Sequence, residues 1–131
     1  MRRFVAAYWP SIMVVAVILY ATLFPDPMPV DDLPLIPGLD KLIHAIMFGG
    51  LAGAVAFDYS RSHDLSRPPR SVMARVAIAS AIAGGGIELL QDAMGLGRGA
   101  EWADFGADSL GALVAYITAP AAINRVLKHF E

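Results

Sequence analysis

Cysteine is absent from the 131-residue chain. That excludes a disulfide framework, a thiolate nucleophile, Cys-ligated zinc and iron–sulfur clusters. Charge is scarce as well: 17% of residues are charged, and 10 basic against 12 acidic residues leave a formal net charge of −2. No global basic field exists to hold nucleic acid. The metalloprotease pattern HExxH is missing, and the glycines around Arg98 lack the Lys-Ser/Thr ending of a phosphate-binding loop. Chemistry, if present, falls to His, carboxylates and Arg. What the chain has in abundance is apolar surface, with 56% hydrophobic residues and a mean hydropathy of +0.55. A soluble domain of this length would leave much of that surface against water, so the composition predicts a membrane protein.

A helix needs about 20 residues to cross a hydrocarbon core of about 30 Å. Four stretches qualify, at about 4–24, 39–58, 72–91 and 105–124. The first carries no charge and has Pro10 near its start, where a missing N–H matters less. Arg2 and Arg3 precede it as in a signal peptide, but the run is long and no small-x-small site follows, so it is read as a retained span. The connectors 25–38, 59–71 and 92–104 are too short to form a domain. The expected architecture is a single all-α domain, 1–131, built as a bundle of four transmembrane helices. Lys and Arg near span ends prefer the cytoplasm. Eight of them (Arg2, Arg3, Arg61, Arg67, Arg70, Arg75, Arg125 and Lys128) fall on one side and two, Lys41 and Arg98, on the other. Both termini are therefore expected in the cytoplasm. The outer connector 25–38, with Asp26, Asp31, Asp32 and no basic residue, agrees.

Without charged residues the later spans shrink to 42–57, 76–87 and 109–124, only 16, 12 and 16 residues. Each reaches bridging length by drawing in polar side chains. Arg75 can snorkel toward the cytoplasm, and the others, Asp40, Lys41, His44, Glu88, Gln91 and Asp108, lie at the outer end. A charge inside a bilayer costs roughly 2.5–3.5 kcal/mol on insertion scales, so such groups usually face the bundle and mark a site. Residues three or four apart share a helix face. Asp40 thus aligns with His44, Glu88 with Gln91, and Asp104 with Asp108 and Gly111. Gly49, Gly53, Gly84, Gly85, Gly86, Gly106 and Gly111 would let the backbones approach and bring these groups together.

His44 reads as a general base, a metal ligand or an interhelical hydrogen-bonding group. Glu88 and Asp108 join it as acid and base, as oxygen ligands for a divalent ion, or as members of a structural ion-pair cluster. Arg98 either grips a phosphate or carboxylate, helped by the glycines beside it, or closes its turn by pairing with Asp104 or Glu101. Trp9 and Trp102 read as interfacial anchors. Arg61, His63, Arg67 and Arg70 read as a solvated topology signal.

Asp40-Lys41-Leu-Ile-His44, Ile87-Glu88-Leu-Leu-Gln91, and Arg98 followed by Asp104-Phe-Gly-Ala-Asp108-Ser-Leu-Gly111 resemble, in order and spacing, the VanZ-like family of bacterial membrane proteins. Leu23-Phe24-Pro25 at the end of the first span fits the same pattern. Asp108 is a departure, standing where the family more often has Asn. The resemblance implies a four-helix protein of the bacterial inner membrane, associated with tolerance to the glycopeptide teicoplanin, and implies no reaction. Two functions follow as expectations. In the first, Arg98, Asp40, Lys41, Gln91 and Asp104 help the cluster bind an anionic amphiphile among the membrane lipids, such as a lipid-linked wall precursor or a lipophilic glycopeptide. In the second, His44, Glu88 and Asp108 catalyse a reaction on a phosphate-bearing lipid or glycolipid. No cofactor is required by either, although a divalent metal is compatible with the residues. A proton or ion conduit ranks last, because the inner halves of the spans are almost wholly apolar.

Overall fold

The computed structural model describes residues 1–24, 36–95 and 100–130, without the Arg2 side chain. Four helices fill them: α1 (Arg2–Leu23), α2 (Leu39–Ser62), α3 (Arg70–Met94) and α4 (Trp102–His129). Each is long and apolar enough to cross a membrane. All four overrun the bounds expected from apolar content at one end or both. Charge limits how much of a helix suits hydrocarbon, but it does not interrupt the backbone ladder, which continues until the chain meets a breaker.

The breakers are local. Phe24 precedes Pro25 and takes φ −80, ψ 132, the extended geometry favoured before proline, so α1 stops at Leu23. Gly38 at φ +79 leads into α2 and Gly95 at φ +61 leads out of α3, both in the left-handed region that glycine enters without a Cβ clash.

The α2–α4 pairing is the most extensive, α3 packs on both, and α1 lies along α2 and meets α3 only lightly. Glycine makes the central crossing possible. A Cβ on Gly111 would lie 2.0 Å from the Ala45 carbonyl oxygen, and one on Gly49 would lie 2.8 Å from the carbonyl oxygen of Gly111. Gly84 and Gly85 admit Asp108 and Phe105 in the same way, whereas Gly53, Gly86 and Gly106 have nothing within 4 Å of a Cβ position. Ala56, Met73, Ala119 and Ile123 form an apolar core toward the ends where α2 and α4 finish and α3 begins. The outside stays apolar: Ile78, Ile82 and Ile117 are each more than 60% exposed. The inside holds polar groups, Ser11, Asp58, Ser80, Glu88, Gln91 and Asp108 among them. That distribution inverts the usual arrangement of a water-soluble domain.

α1 is kinked, with Tyr8 outside helical geometry (φ −113, ψ 18) two residues before Pro10. In a regular helix the Ser11 amide would bond the Ala7 carbonyl. Here α2 takes both groups. Asp58 accepts the Ser11 N–H at 3.0 Å and its hydroxyl at 2.6 Å, while Arg61 donates to the Ala7 carbonyl and reaches Asp58 at 3.4 Å. Asp58 is fully buried. Arg61, expected as a solvated topology signal, is thus part of a helix–helix joint.

Candidate functional site

The antiparallel order brings the start of α2, the end of α3 and the start of α4 to one end of the bundle. Position in the helix then decides depth. Asp40 and Lys41 lie in the first turn of α2 and His44 one turn further in; Asp104 and Asp108 repeat that step on α4; Glu88 lies inside the last turns of α3. Acidic groups in the first turns of α2 and α4 also face the positive ends of the helix dipoles.

His44 is the hub. Its Nδ1 lies 2.9 Å from Asp108 Oδ1 and 3.9 Å from Glu88 Oε1, and its Nε2 lies 3.6 Å from Asp104 Oδ2. Asp108 is fully buried and the Glu88 side chain only 6% exposed. Above them Lys41 Nζ contacts Asp40 at 2.6 Å, Glu101 at 2.7 Å and Asp104 at 2.9 Å. The side chains of Asp40 and Glu101 are about 60% exposed and form the rim. Asp104 belongs to both layers, joining the Lys41 rim to the imidazole below. Glu88 is held from the other side by the backbone N–H of Glu101, which donates to its Oε2 at 3.1 Å. Among the described residues, two buried oxygens of this inner layer have no hydrogen-bond partner, Glu88 Oε1 and Asp108 Oδ2.

The structure therefore brings together His44, Glu88, Asp108, Asp104, Lys41 and Asp40. Gln91 is elsewhere: it is buried, and its Nε2 donates at 2.7 Å to the carbonyl of Thr22. Thr22 lies in the last turn of α1, whose carbonyls have no intrahelical partner, so Gln91 caps a neighbouring helix. Arg98, with Gly97 and Gly99 beside it, lies outside the described residues, as do Asp26, Asp31 and Asp32. The sequence offers Glu101 as a possible partner for Arg98, which lies outside the described residues. It ties down Lys41 through its side chain and Glu88 through its backbone. Its position just ahead of α4, level with the first turn of α2, is the feature that would have revealed it.

Electrostatically the described cluster is acidic. Asp40, Glu88, Glu101, Asp104 and Asp108 surround one lysine and one histidine, and the lysine is already shared by three carboxylates. Such a site takes protons or cations and accepts hydrogen bonds from hydroxyl or amine groups. Comparison with protein-family models, curated proteins and solved structures finds no match to this chain.

Proposed function

We propose that the chain is a VanZ-like protein of the bacterial inner membrane, crossing it four times with both termini in the cytoplasm. Its polar cluster then lies at the extracytoplasmic end and receives the headgroup of an amphiphile, such as a lipid-linked wall precursor or a lipophilic glycopeptide. The observation that carries this reading is the meeting of His44, Glu88, Asp104 and Asp108, drawn from three apolar helices, beneath an exposed rim of Asp40, Lys41 and Glu101. Burying ionisable groups among apolar helices is unfavourable, and a site is the usual reason it persists. The apolar outer faces and the exposed Trp9 and Trp102, at opposite ends of the bundle, support the bilayer setting. An apolar groove of about 560 Å³ between α2 and α4, lined by Leu42, Ala45, Ile46 and Gly111, begins beside the cluster and has the character needed for an acyl tail.

A second reading, a membrane-embedded hydrolase or transferase, is favoured by the 2.9 Å contact between His44 and the buried Asp108, which would orient an imidazole acting as a base. One experiment separates the two. His44→Ala, Glu88→Gln and Asp108→Asn are expressed singly in a bacterial host, and teicoplanin tolerance and the envelope lipid profile are measured together. Headgroup binding predicts reduced tolerance with an unchanged profile; the enzyme predicts that one lipid species accumulates as another falls. Full tolerance in all three variants would reject both.

A further inference from the structure

The inner layer of the cluster poses a charge problem that its own residues leave open. Among the described residues, Lys41 is committed to the rim, Glu88 and Asp108 have only His44 as a basic neighbour, and each keeps a buried oxygen without a hydrogen-bond partner. An uncompensated buried carboxylate is strongly unfavourable. Glu88 Oε1 is aimed inward, at the imidazole Nδ1, yet at 3.9 Å it is too far to bond it.

We propose that His44, Glu88 and Asp108 bind a divalent transition-metal ion of the zinc class, with a coordination position left open to the headgroup. This rests on the headgroup-binding reading and deepens it. One ligand atom from each residue lies within 4.8 Å of the others. Ligands about 2.0–2.1 Å from a tetrahedral ion are separated from one another by about 3.3 Å. The Nδ1–Asp108 and Nδ1–Glu88 separations, 2.9 and 3.9 Å, bracket that value. One contact must lengthen and the other shorten, each by about half an ångström, a shift within reach of carboxylate rotation.

The surroundings match what a ligand set needs. A metal-bound histidine usually directs its second nitrogen at a carboxylate, which fixes the ring. Nε2 of His44 faces Asp104, itself held by Lys41. Glu88 is oriented through its other oxygen by the Glu101 amide. Gly84 leaves the space occupied by the Asp108 carboxylate, since a Cβ there would lie 2.5 Å from Oδ2. One imidazole with two carboxylates favours zinc and its neighbours over magnesium, which prefers oxygen ligands and keeps its water. Three protein ligands leave the fourth tetrahedral position free. The bound ion would give an anionic headgroup a cationic contact inside an otherwise acidic pocket.

The test uses the full chain, purified in detergent through a tag without histidine, stripped with chelator and titrated with Zn²⁺, Co²⁺ and Mg²⁺. The expected result is one equivalent of Zn²⁺ by elemental analysis, Co²⁺ absorption bands of tetrahedral intensity, and negligible Mg²⁺ uptake. His44→Ala, Glu88→Gln and Asp108→Asn should each weaken Zn²⁺ binding roughly tenfold or more, with helical circular dichroism retained. The Co²⁺ spectrum of the unsubstituted chain tests the site even if a variant fails to fold. Absence of stoichiometric Zn²⁺ and Co²⁺ binding would overturn the proposal. So would affinity unchanged in folded variants, or affinity lost in Asp40→Asn and kept in Glu88→Gln, which would put the ion among the rim carboxylates Asp40, Glu101 and Asp104. A metal-free protein whose variants still lose tolerance rejects the ion alone, whereas intact metal binding with unaffected tolerance rejects headgroup binding alone.

Discussion

At the scale of single residues, Asp58 and Gln91 show how a polar side chain inside an apolar helix can serve architecture. Asp58 replaces a hydrogen bond that the kink before Pro10 disrupts, and Gln91 caps α1 at the Thr22 carbonyl. Removing the Asp58 carboxylate strands two buried donors on Ser11, and each such donor costs about 1–3 kcal/mol. Asp58→Ala should therefore lower stability by about 3 kcal/mol in denaturant unfolding of the micelle-bound chain. Ser11→Ala, which removes one hydroxyl and leaves its amide bonded, should cost only about 1 kcal/mol; equal losses would show that the hydroxyl, and not the freed amide, makes the joint. His44, Glu88 and Asp108 were legible in the sequence because burying ionisable groups in hydrocarbon is rare enough to stand out. The role of Asp58 was not. It lies at the boundary of its span, where a charge looks unremarkable, and only the path of another helix turns it inward. Gln91 misled for the related reason that helical spacing gives a face but not the neighbour that face meets.

At the scale of elements, packing decides which glycines matter. Their spacing identified a small-residue set, but Gly49 and Gly111 touch the opposing backbone while Gly53, one turn beyond Gly49, lines the open groove between α2 and α4. Crossing helices diverge from their point of closest approach, and a sequence does not mark that point. Gly111→Ala pushes a methyl group into the Ala45 carbonyl and should destabilise the protein by about 1–3 kcal/mol, as overpacking does. Gly106→Ala meets nothing and should be neutral or gain up to about 1 kcal/mol of helix propensity. Thermal unfolding of both variants in the same micelle checks the contrast; equal behaviour would mean that the close crossing is absent in solution. The number and order of helices were readable from length and apolar content, whereas their ends depended on caps and breakers that hydropathy ignores.

At the scale of the whole molecule, the cluster and the connector between α2 and α3 lie at opposite ends of the bundle. On the proposed topology those ends lie on opposite sides of the membrane. Because the chain has no cysteine, single-cysteine labelling can test this directly. In intact spheroplasts, Ser66→Cys should resist a membrane-impermeant maleimide and react after lysis, while Asp92→Cys should react at once; the reverse pattern would turn the protein over and place the cluster in the cytoplasm. The joint at Asp58 and the cap at Gln91 also bear on motion. α1 packs mainly on α2, and polar ties hold it at different heights, near Ser11 and at Thr22 among the described residues. A stave pinned twice cannot swing, but with one pin drawn it can pivot about the other. Loosening Ser11 would free the segment around Phe4 and Trp9 and leave the far end anchored, while loosening Thr22 would splay α1 beside the pocket and open its flank to lipid.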